Sequence, residues 1–352
     1  MKSLEMFFDF SRPLSLKEQE SFTARDKRLN GVFGLSAEKA TDLFNTRLHA
    51  PGNFKHGLRI RNRFSCLEWE IPEDVVSDRT APRREQRPPA TRIVTSQGAA
   101  LRFYLAALAA AQISAKPGEK STVALPLAGD SQGLGWDDVV ATGAVPTGGG
   151  ATVSMTRDKK ARSLRTALKT LHDARLVQVG GEPGERGRFN NFVLLSDAGW
   201  QVPGADPLPY TVPKTNERFF TLPAGFVTNG WLNVLEDSEL AVLLMAACGL
   251  YSLHQLKPGF DLKDGEVAIS GDARLRRYGI HRDPFSAARK TLEWFGLLDV
   301  REVARHMEDG RGEDGEMNLH RLSLVREGFD SNGFDVVRHV MKVQLERRGT
   351  PK

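Results

Sequence analysis

Cysteine is scarce in this chain: the 352 residues include only Cys66 and Cys248, which lie 182 positions apart and form no CxxC pair. Disulfide frameworks and structural zinc sites need several cysteines at characteristic spacings. Neither is therefore expected, and we predict two buried thiols in a reducing compartment. The eight histidines form no HExxH or HxH motif, so no zinc protease or metal-dependent nicking site is predicted.

Long hydrophobic segments are also absent. The longest apolar run that is nearly free of charge spans residues 240–253, which is shorter than the roughly 20 residues needed to cross a bilayer. This run predicts a buried helix instead. The first residues, MKSLEMFFDFSRP, carry Glu5 and Asp9 within their apolar stretch and make a poor secretory signal. We therefore expect a cytoplasmic protein without a membrane partner.

Motifs for nucleotide or DNA chemistry are incomplete. Residues 143–148 have the GxxxxG spacing of a phosphate-binding loop, but Gly149 and Gly150 stand where Lys and Ser or Thr are needed. His56 and Arg59 match the HxxR of tyrosine recombinases, but no convincing Arg and Tyr partners follow. We predict no catalytic residue, no cofactor and no metal ion. A recombinase or nuclease with DNA-binding accessory domains is the enzymatic alternative.

What the sequence does contain is an internal repeat. Residues 164–179 and 285–300 align at a constant offset of 121, and the Lys-Thr-Leu triplet at 169–171 recurs at 290–292. Both copies carry an apolar stripe at helical spacing, formed by Leu164, Ala167 and Leu171 in the first and by Phe285, Ala288 and Leu292 in the second. Two equivalent amphipathic helices are therefore predicted.

The repeat extends in both directions from these helices. An apolar helix is predicted at 101–113 and again at 239–252, each preceded by a strand-like run that opens with Arg-Phe, at 63–64 and 218–219. A two-stranded hairpin follows each copy. The paired strands are predicted at 176–179 with 192–195 and at 297–303 with 319–324. Each unit thus reads as strand, helix, second helix, third helix and hairpin.

The middle of each unit differs in length. The second unit is compact, with a strand at 267–269, a short helix at 271–278 and a break at Gly279. Asp283 is predicted to cap the next helix, with Pro284 at its first position. In the first unit the corresponding stretch is longer, with a strand-like run at 122–127 and a Gly-rich connection before the third helix.

These patterns predict an α+β fold with two units in tandem. The expected divisions are an N-terminal extension (1–60) with one helix at 36–48 capped by Ser36, a first domain (61–196) with a basic Pro-rich insert (77–97), a linker (197–216), a second domain (217–328) and a C-terminal helix (329–352). The insert is expected to be a linker or surface arm. Within the last division, apolar residues recur at helical spacing over 333–348, and this apolar face offers a route to a homo-oligomer.

The phrase VAISGDARLRRYGIHRDPFSAARKTLEWFGLLDV, residues 267–300, resembles the winged helix-turn-helix family. The resemblance covers residues 62–196 and 217–328. Two such modules in one chain resemble the bacterial plasmid replication initiators of the twin winged-helix type. The resemblance implies that the third helix of each unit enters the major groove of double-stranded DNA and that the hairpin forms a wing.

Basic residues cluster where this fold would touch DNA. Residues 157–192 carry a net charge of +5 and residues 271–290 a net charge of +4, against +5 for the whole chain. The candidate DNA-binding residues in the first unit are Arg162, Arg165, Thr166 and Lys169 on the third helix and Arg186 and Arg188 on the wing. In the second unit they are Arg274, Arg276, Arg277, Arg282, Ser286, Arg289 and Lys290.

Two further charged segments have open roles. The tip of the second wing, residues 307–318, carries five acids and one arginine, which phosphates would repel; it is expected to face solvent or a protein partner. The five arginines between 79 and 92 either line a solvated linker or lie along DNA.

We expect sequence-specific DNA binding in the nucleoid. The purpose of this binding is expected to be replication initiation at a plasmid or mobile-element origin, transcriptional regulation, or a role in partition or chromatin structure.

Overall fold

The computed structural model describes residues 14–48, 54–68, 82–94, 99–121, 123–129, 133–142, 153–182, 184–185, 187–199, 208–249, 265–301 and 321–348. The α+β class is confirmed. The helices are α1 (Leu16–Leu29), α2 (Val32–Leu43), α3 (Asn62–Ser65), α4 (Pro89–Arg92), α5 (Ala100–Ser114), α6 (Trp136–Val139), α7 (Val153–Asp173), α8 (Gly225–Thr228), α9 (Trp231–Val234), α10 (Asp237–Gly249), α11 (Gly271–Arg276), α12 (Arg282–Trp294) and α13 (Gly333–Arg348). The strands are β1 (Leu58–Arg61), β2 (Val177–Val179), β3 (Phe192–Leu194), β4 (Phe219–Leu222), β5 (Glu266–Ala268), β6 (Leu298–Arg301) and β7 (Arg321–Leu324).

The repeat seen in the sequence corresponds to a repeat in the fold. We call the elements from β1 to β3 the first unit and those from β4 to β7 the second unit. In each unit a buried and mainly apolar helix, α5 or α10, packs against an amphipathic helix, α7 or α12. An antiparallel hairpin follows, β2–β3 in the first unit and β6–β7 in the second, and both hairpins were predicted.

The sheets of the two units differ. In the second unit β5 pairs with β7, which gives a three-stranded sheet of order β5-β7-β6. In the first unit the strand predicted at 122–127 is wrong, because its described residues, 123–127, have no strand structure. In addition to β2, β3 pairs with a segment of the connection to the second unit. There the amide of Tyr210 donates to the carbonyl of Leu194 at 2.9 Å.

The connection between the units is therefore not a free linker. The amide of Val212 donates to the carbonyl of Glu119 at 3.0 Å, so residues 208–212 bridge two parts of the first unit. The side chains of Tyr210 and Val212 are buried in the core. The prediction of a spacer across 197–216 is wrong for residues 208–212, because these apolar side chains and backbone hydrogen bonds are satisfied inside the fold.

The first strands of the two units pair with each other. β1 and β4 are antiparallel, with Leu58 opposite Leu222 and Arg61 opposite Phe219. Antiparallel pairing of two equivalent strands creates a local, approximate two-fold relation between the units at this sheet. The strand predicted to open at Arg63-Phe64 is wrong, since these residues lie in the short helix α3, directly after β1.

A buried ion cluster fastens the same junction. Arg61 donates from Nη1 to Asp197 Oδ1 at 2.7 Å and from Nε to Glu217 Oε2 at 2.5 Å. Asp197 is fully buried and also accepts the amide of Arg61 at 2.8 Å. Burial opposes the ionised form, but the hydrogen bonds and charges of Glu217 and Asp197 prevail and raise the pKa of Arg61.

The N-terminal extension contributes two helices where one was predicted. Ser15 and Glu18 form a reciprocal capping box at the start of α1, a signal that is visible in the sequence. The second helix begins at Val32, so Ser36 lies inside it and the predicted cap is wrong. Arg25 of α1 and Glu239 of α10 form a buried bidentate ion pair, with Nη1–Oε1 at 2.6 Å and Nη2–Oε2 at 2.9 Å. This pair attaches the extension to the second unit.

The C-terminal helix α13 has the bounds that its periodicity predicts. Its apolar side chains Phe334, Val337 and Met341 are buried, and the helix packs against α1 and α9. Arg338 of α13 additionally pairs with Glu38 of α2. Helix α1 of the same chain covers the apolar face that was expected to mediate self-association, and oligomerisation itself stays a prediction.

The two cysteines are buried, as predicted. The amide of Cys66 and the thiol of Cys248 both donate to the carbonyl oxygen of Asn62, at 2.9 and 3.6 Å. A hydrogen bond with Cys66, together with burial, raises the pKa of the Cys248 thiol. Both thiols thus contribute to the packing between α3 of the first unit and α10 of the second.

Candidate nucleic-acid interface

The outward face of α7 carries the first group of predicted residues. Leu164, Leu168 and Leu171 are buried against the first unit. The predicted residues on the opposite face are all exposed, namely Arg162, Arg165, Thr166 and Lys169. The hydroxyl of Thr166 donates to the carbonyl of Arg162 at 3.1 Å, within the helix. The charge of this face therefore comes from the three cations.

A groove of about 870 Å³ separates α7 from the hairpin loop that follows β2. Arg165, Lys169 and His172 line one wall, and Arg188 with Phe189 lines the other. The guanidinium of Arg188 lies 5.9 Å from the ring centroid of Phe189. Helix and loop thus present three cations, Arg165, Lys169 and Arg188, to a common space that the acids Asp173 and Glu185 also line. Arg186 of the same loop lies outside the described residues.

Helix α12 carries the second group. It begins at Arg282 with His281 as N-cap, so the predicted cap at Asp283 is wrong. Pro284 is accommodated because the first-turn amides of a helix have no partner within it. Arg282 is exposed, and Ser286, Arg289 and Lys290 are half-buried along the face opposite Phe285 and Leu292.

Helix α1 borders one side of this face. Phe22 packs edge-on against Trp294 at 5.7 Å between ring centroids. Lys290 Nζ lies 4.0 Å from Glu18 Oε1, so the predicted residue Lys290 stands beside an acid of the N-terminal extension. Trp294 and Phe295 are buried in the core. The cations on the far side from α1 are Arg282 and Arg289.

Three of the predicted arginines hold the turn between α11 and α12. Arg274 donates to the carbonyl of Ile280 at 3.1 Å and lies 5.0 Å above the ring of Phe285. Arg276 pairs with Asp272 at 3.1 Å. The carbonyl of Arg277 accepts the amide of Leu67 at 2.9 Å, which joins this turn to the first unit. All three are half-buried, so they support the position of α12.

The sequence did not predict what surrounds that turn. Thr91 donates its hydroxyl to the carbonyl of Tyr278 at 2.9 Å. A Cβ atom on Gly279 would lie 2.9 Å from both Arg87 Cγ and Thr91 Oγ1. The arginine-rich insert of the first unit is therefore packed against the second unit. The expectation of a surface arm is wrong for residues 82–94, where Pro89, Ala90 and Ile93 are buried.

Within the described ranges, no group of three or more His, Cys, Asp or Glu side chains is arranged to hold a metal ion. None of the helices described is both long and apolar enough to span a bilayer. The acidic tip of the second wing, 307–318, and the Gly-rich segment 143–150 lie outside the described residues.

Comparison with protein-family models, with characterised proteins and with solved structures returns no match to this chain. Its function is therefore argued from the two basic faces and the architecture that carries them.

Proposed function

We propose that this chain binds double-stranded DNA through two winged-helix units. The observation that carries the proposal is the repeated placement of cations on the exposed face of the helix that precedes each hairpin. In the first unit these cations are the exposed Arg162, Arg165 and Lys169, and in the second the exposed Arg282 and the half-buried Arg289. A basic helix occurs by chance in many proteins, but two basic helices in equivalent places of a structural repeat favour a shared ligand.

The second unit supports the winged-helix reading most directly. α10, α11 and α12 follow one another with a sharp turn at Gly279, whose φ is +66°, and the hairpin β6–β7 follows at once. A positive φ favours glycine at this turn. Such an arrangement lets the third helix enter a major groove while the wing lies along the backbone. Because the tip of this wing is acidic, contact with a protein partner is the alternative to a DNA contact at the tip.

The purpose of DNA binding is proposed as replication initiation at a plasmid or mobile-element origin. Support comes from the resemblance of two such units in one chain to initiators of the twin winged-helix type. A plasmid that carries the cognate origin should be maintained only when the chain is supplied. Maintenance without the chain, combined with altered expression of neighbouring genes, would favour a transcriptional regulator. Mg²⁺-dependent nicking of supercoiled DNA that a single substitution removes would favour an enzyme.

The salt dependence of binding tests the DNA proposal. If both basic faces neutralise phosphates, about 6–10 counterions are released, and log affinity should fall against log salt with a slope of roughly −5 to −9. Fluorescence anisotropy with a labelled duplex between 50 and 300 mM salt measures this slope. A slope near zero, or no binding to any duplex at low salt, would contradict the proposal.

Single substitutions test the docking face. Arg165→Ala and Arg289→Ala should each weaken specific binding by about 1–3 kcal/mol if the side chains reach base edges. Lys290→Ala should have a similar or smaller effect, because Lys290 lies beside Glu18. Arg326→Ala is the control: Arg326 is exposed like Arg165, but it lies on the turn after β7 that packs towards α8. Equal losses for all four variants would mean that the docking face is wrong.

A further inference from the structure

The insert of the first unit, residues 82–94, forms a compact basic segment. It contains the 3₁₀ turn Arg84–Gln86 and the helix α4. Its arginines close it internally: Arg84 Nε donates to the carbonyl of Arg92 at 2.6 Å, and Arg87 Nε donates to the carbonyl of Pro82 at 2.9 Å. Buried Pro89 and Ile93 anchor it. The segment is therefore a fixed element of the surface.

Positive charge is in excess within this segment. It contains four arginines and one acid, Glu85, which gives a net charge of +3. Arg83 and Arg84 are exposed. Burial, followed by the charge of Arg84, lowers the pKa of Arg87, so the fold brings like charges together at a cost. A polyanion bound along the surface would offset that repulsion.

The segment lies beside the DNA-facing helix of the second unit. Thr91 is hydrogen-bonded to Tyr278, three residues before His281, the N-cap of α12. Residues 274–282 hold four arginines and no acid, so two basic stretches from different units meet at this point. Arg282 is exposed at the first position of α12, four residues after Tyr278.

We propose that residues 82–94 form an additional DNA contact, in which Arg83 and Arg84 bind backbone phosphates flanking the groove that α12 enters. The inference rests on the proposed function and deepens it. Arginine matches the geometry of a phosphate, and a fixed segment loses little conformational entropy on binding. Phosphate contacts of this kind position a protein on the duplex without reading its sequence. The first unit thereby contributes to the half-site of the second.

The test replaces both exposed arginines. The double variant Arg83→Gln/Arg84→Gln should show a salt slope shallower by about 2 and an affinity lower by roughly 10- to 60-fold at 0.1 M salt. Hydroxyl-radical footprints should lose protection at the flank of the α12 half-site only. Relative preference among base sequences should stay unchanged. Arg47→Gln/Arg326→Gln removes two exposed arginines elsewhere and should leave slope and footprint as in the wild type.

The outcomes separate the two proposals. If the wild-type chain binds no duplex, the proposed function fails and this contact fails with it. If the wild type binds and the double variant keeps its slope and footprint, only the contact is overturned. Because Arg84 also supports Arg92, the single variant Arg83→Gln guards against local unfolding: it should produce about half the change in slope at an unaltered unfolding midpoint. No change in slope for Arg83→Gln would also count against the contact.

Discussion

Inserting five or ten base pairs between the two half-sites is expected to abolish tight binding, with a loss of roughly 100-fold or more in each case. Five base pairs turn the second half-site to the opposite face of the helix. Ten restore the face but move the half-site by about 34 Å. From its length alone, a linker at 197–216 would partly tolerate the longer insertion. The pairing of β1 with β4 and the packing of residues 208–212 leave no such slack.

The measurement is a titration of site variants, with the same insertions placed outside the footprint as controls. Because the cations of α7 and α12 differ, a single chain should protect an asymmetric site of about 20 base pairs. Tight binding to the ten-base-pair insertion, but not to the five, would show that the units separate on DNA. Equal tolerance of both insertions would mean that one unit does not read DNA.

Asp197→Ala is expected to lower the free energy of unfolding by about 3–5 kcal/mol. The substitution removes the more buried of the two carboxylates that pair with Arg61. The buried guanidinium of Arg61 then lacks the partner that Asp197 supplied. The amide of Arg61 loses its acceptor as well. Since the cluster joins β1 to the segment that follows β3, the junction between the units should weaken with it.

Urea unfolding followed by circular dichroism checks this value. Asp272→Asn is the matched control, because Asp272 also pairs with an arginine but its side chain is 57% exposed, and a pair of that kind is worth about 0–1 kcal/mol. Glu217→Gln, whose side chain is 31% exposed, should fall between the two. Equal losses for Asp197→Ala and Asp272→Asn would mean that the buried cluster does not hold the fold together.

Features with a local pattern were predictable from the sequence. The bounds of α13, the hairpins that follow α7 and α12, and the exposure of Arg162, Arg165 and Lys169 all follow from alternation or helical spacing within about 20 residues. Helix starts were less accurate. His281 precedes α12 although Asp283 is the better capping residue. The capping box of Ser15 and Glu18 was a local signal that would have predicted α1.

The sequence by itself determined the two repeated units and their basic faces, because the spacing of apolar and basic residues within short windows specifies both features. Only the tertiary structure decided how the units are joined. The pairing of β1 with β4 connects residues about 160 positions apart, and the contact of Thr91 with Tyr278 spans 187. Proline and arginine at 82–94 have the composition of an exposed arm. Burial of Pro89 and Ile93 against a distant surface overrides that composition, because the free energy comes from contacts that no local window of sequence contains.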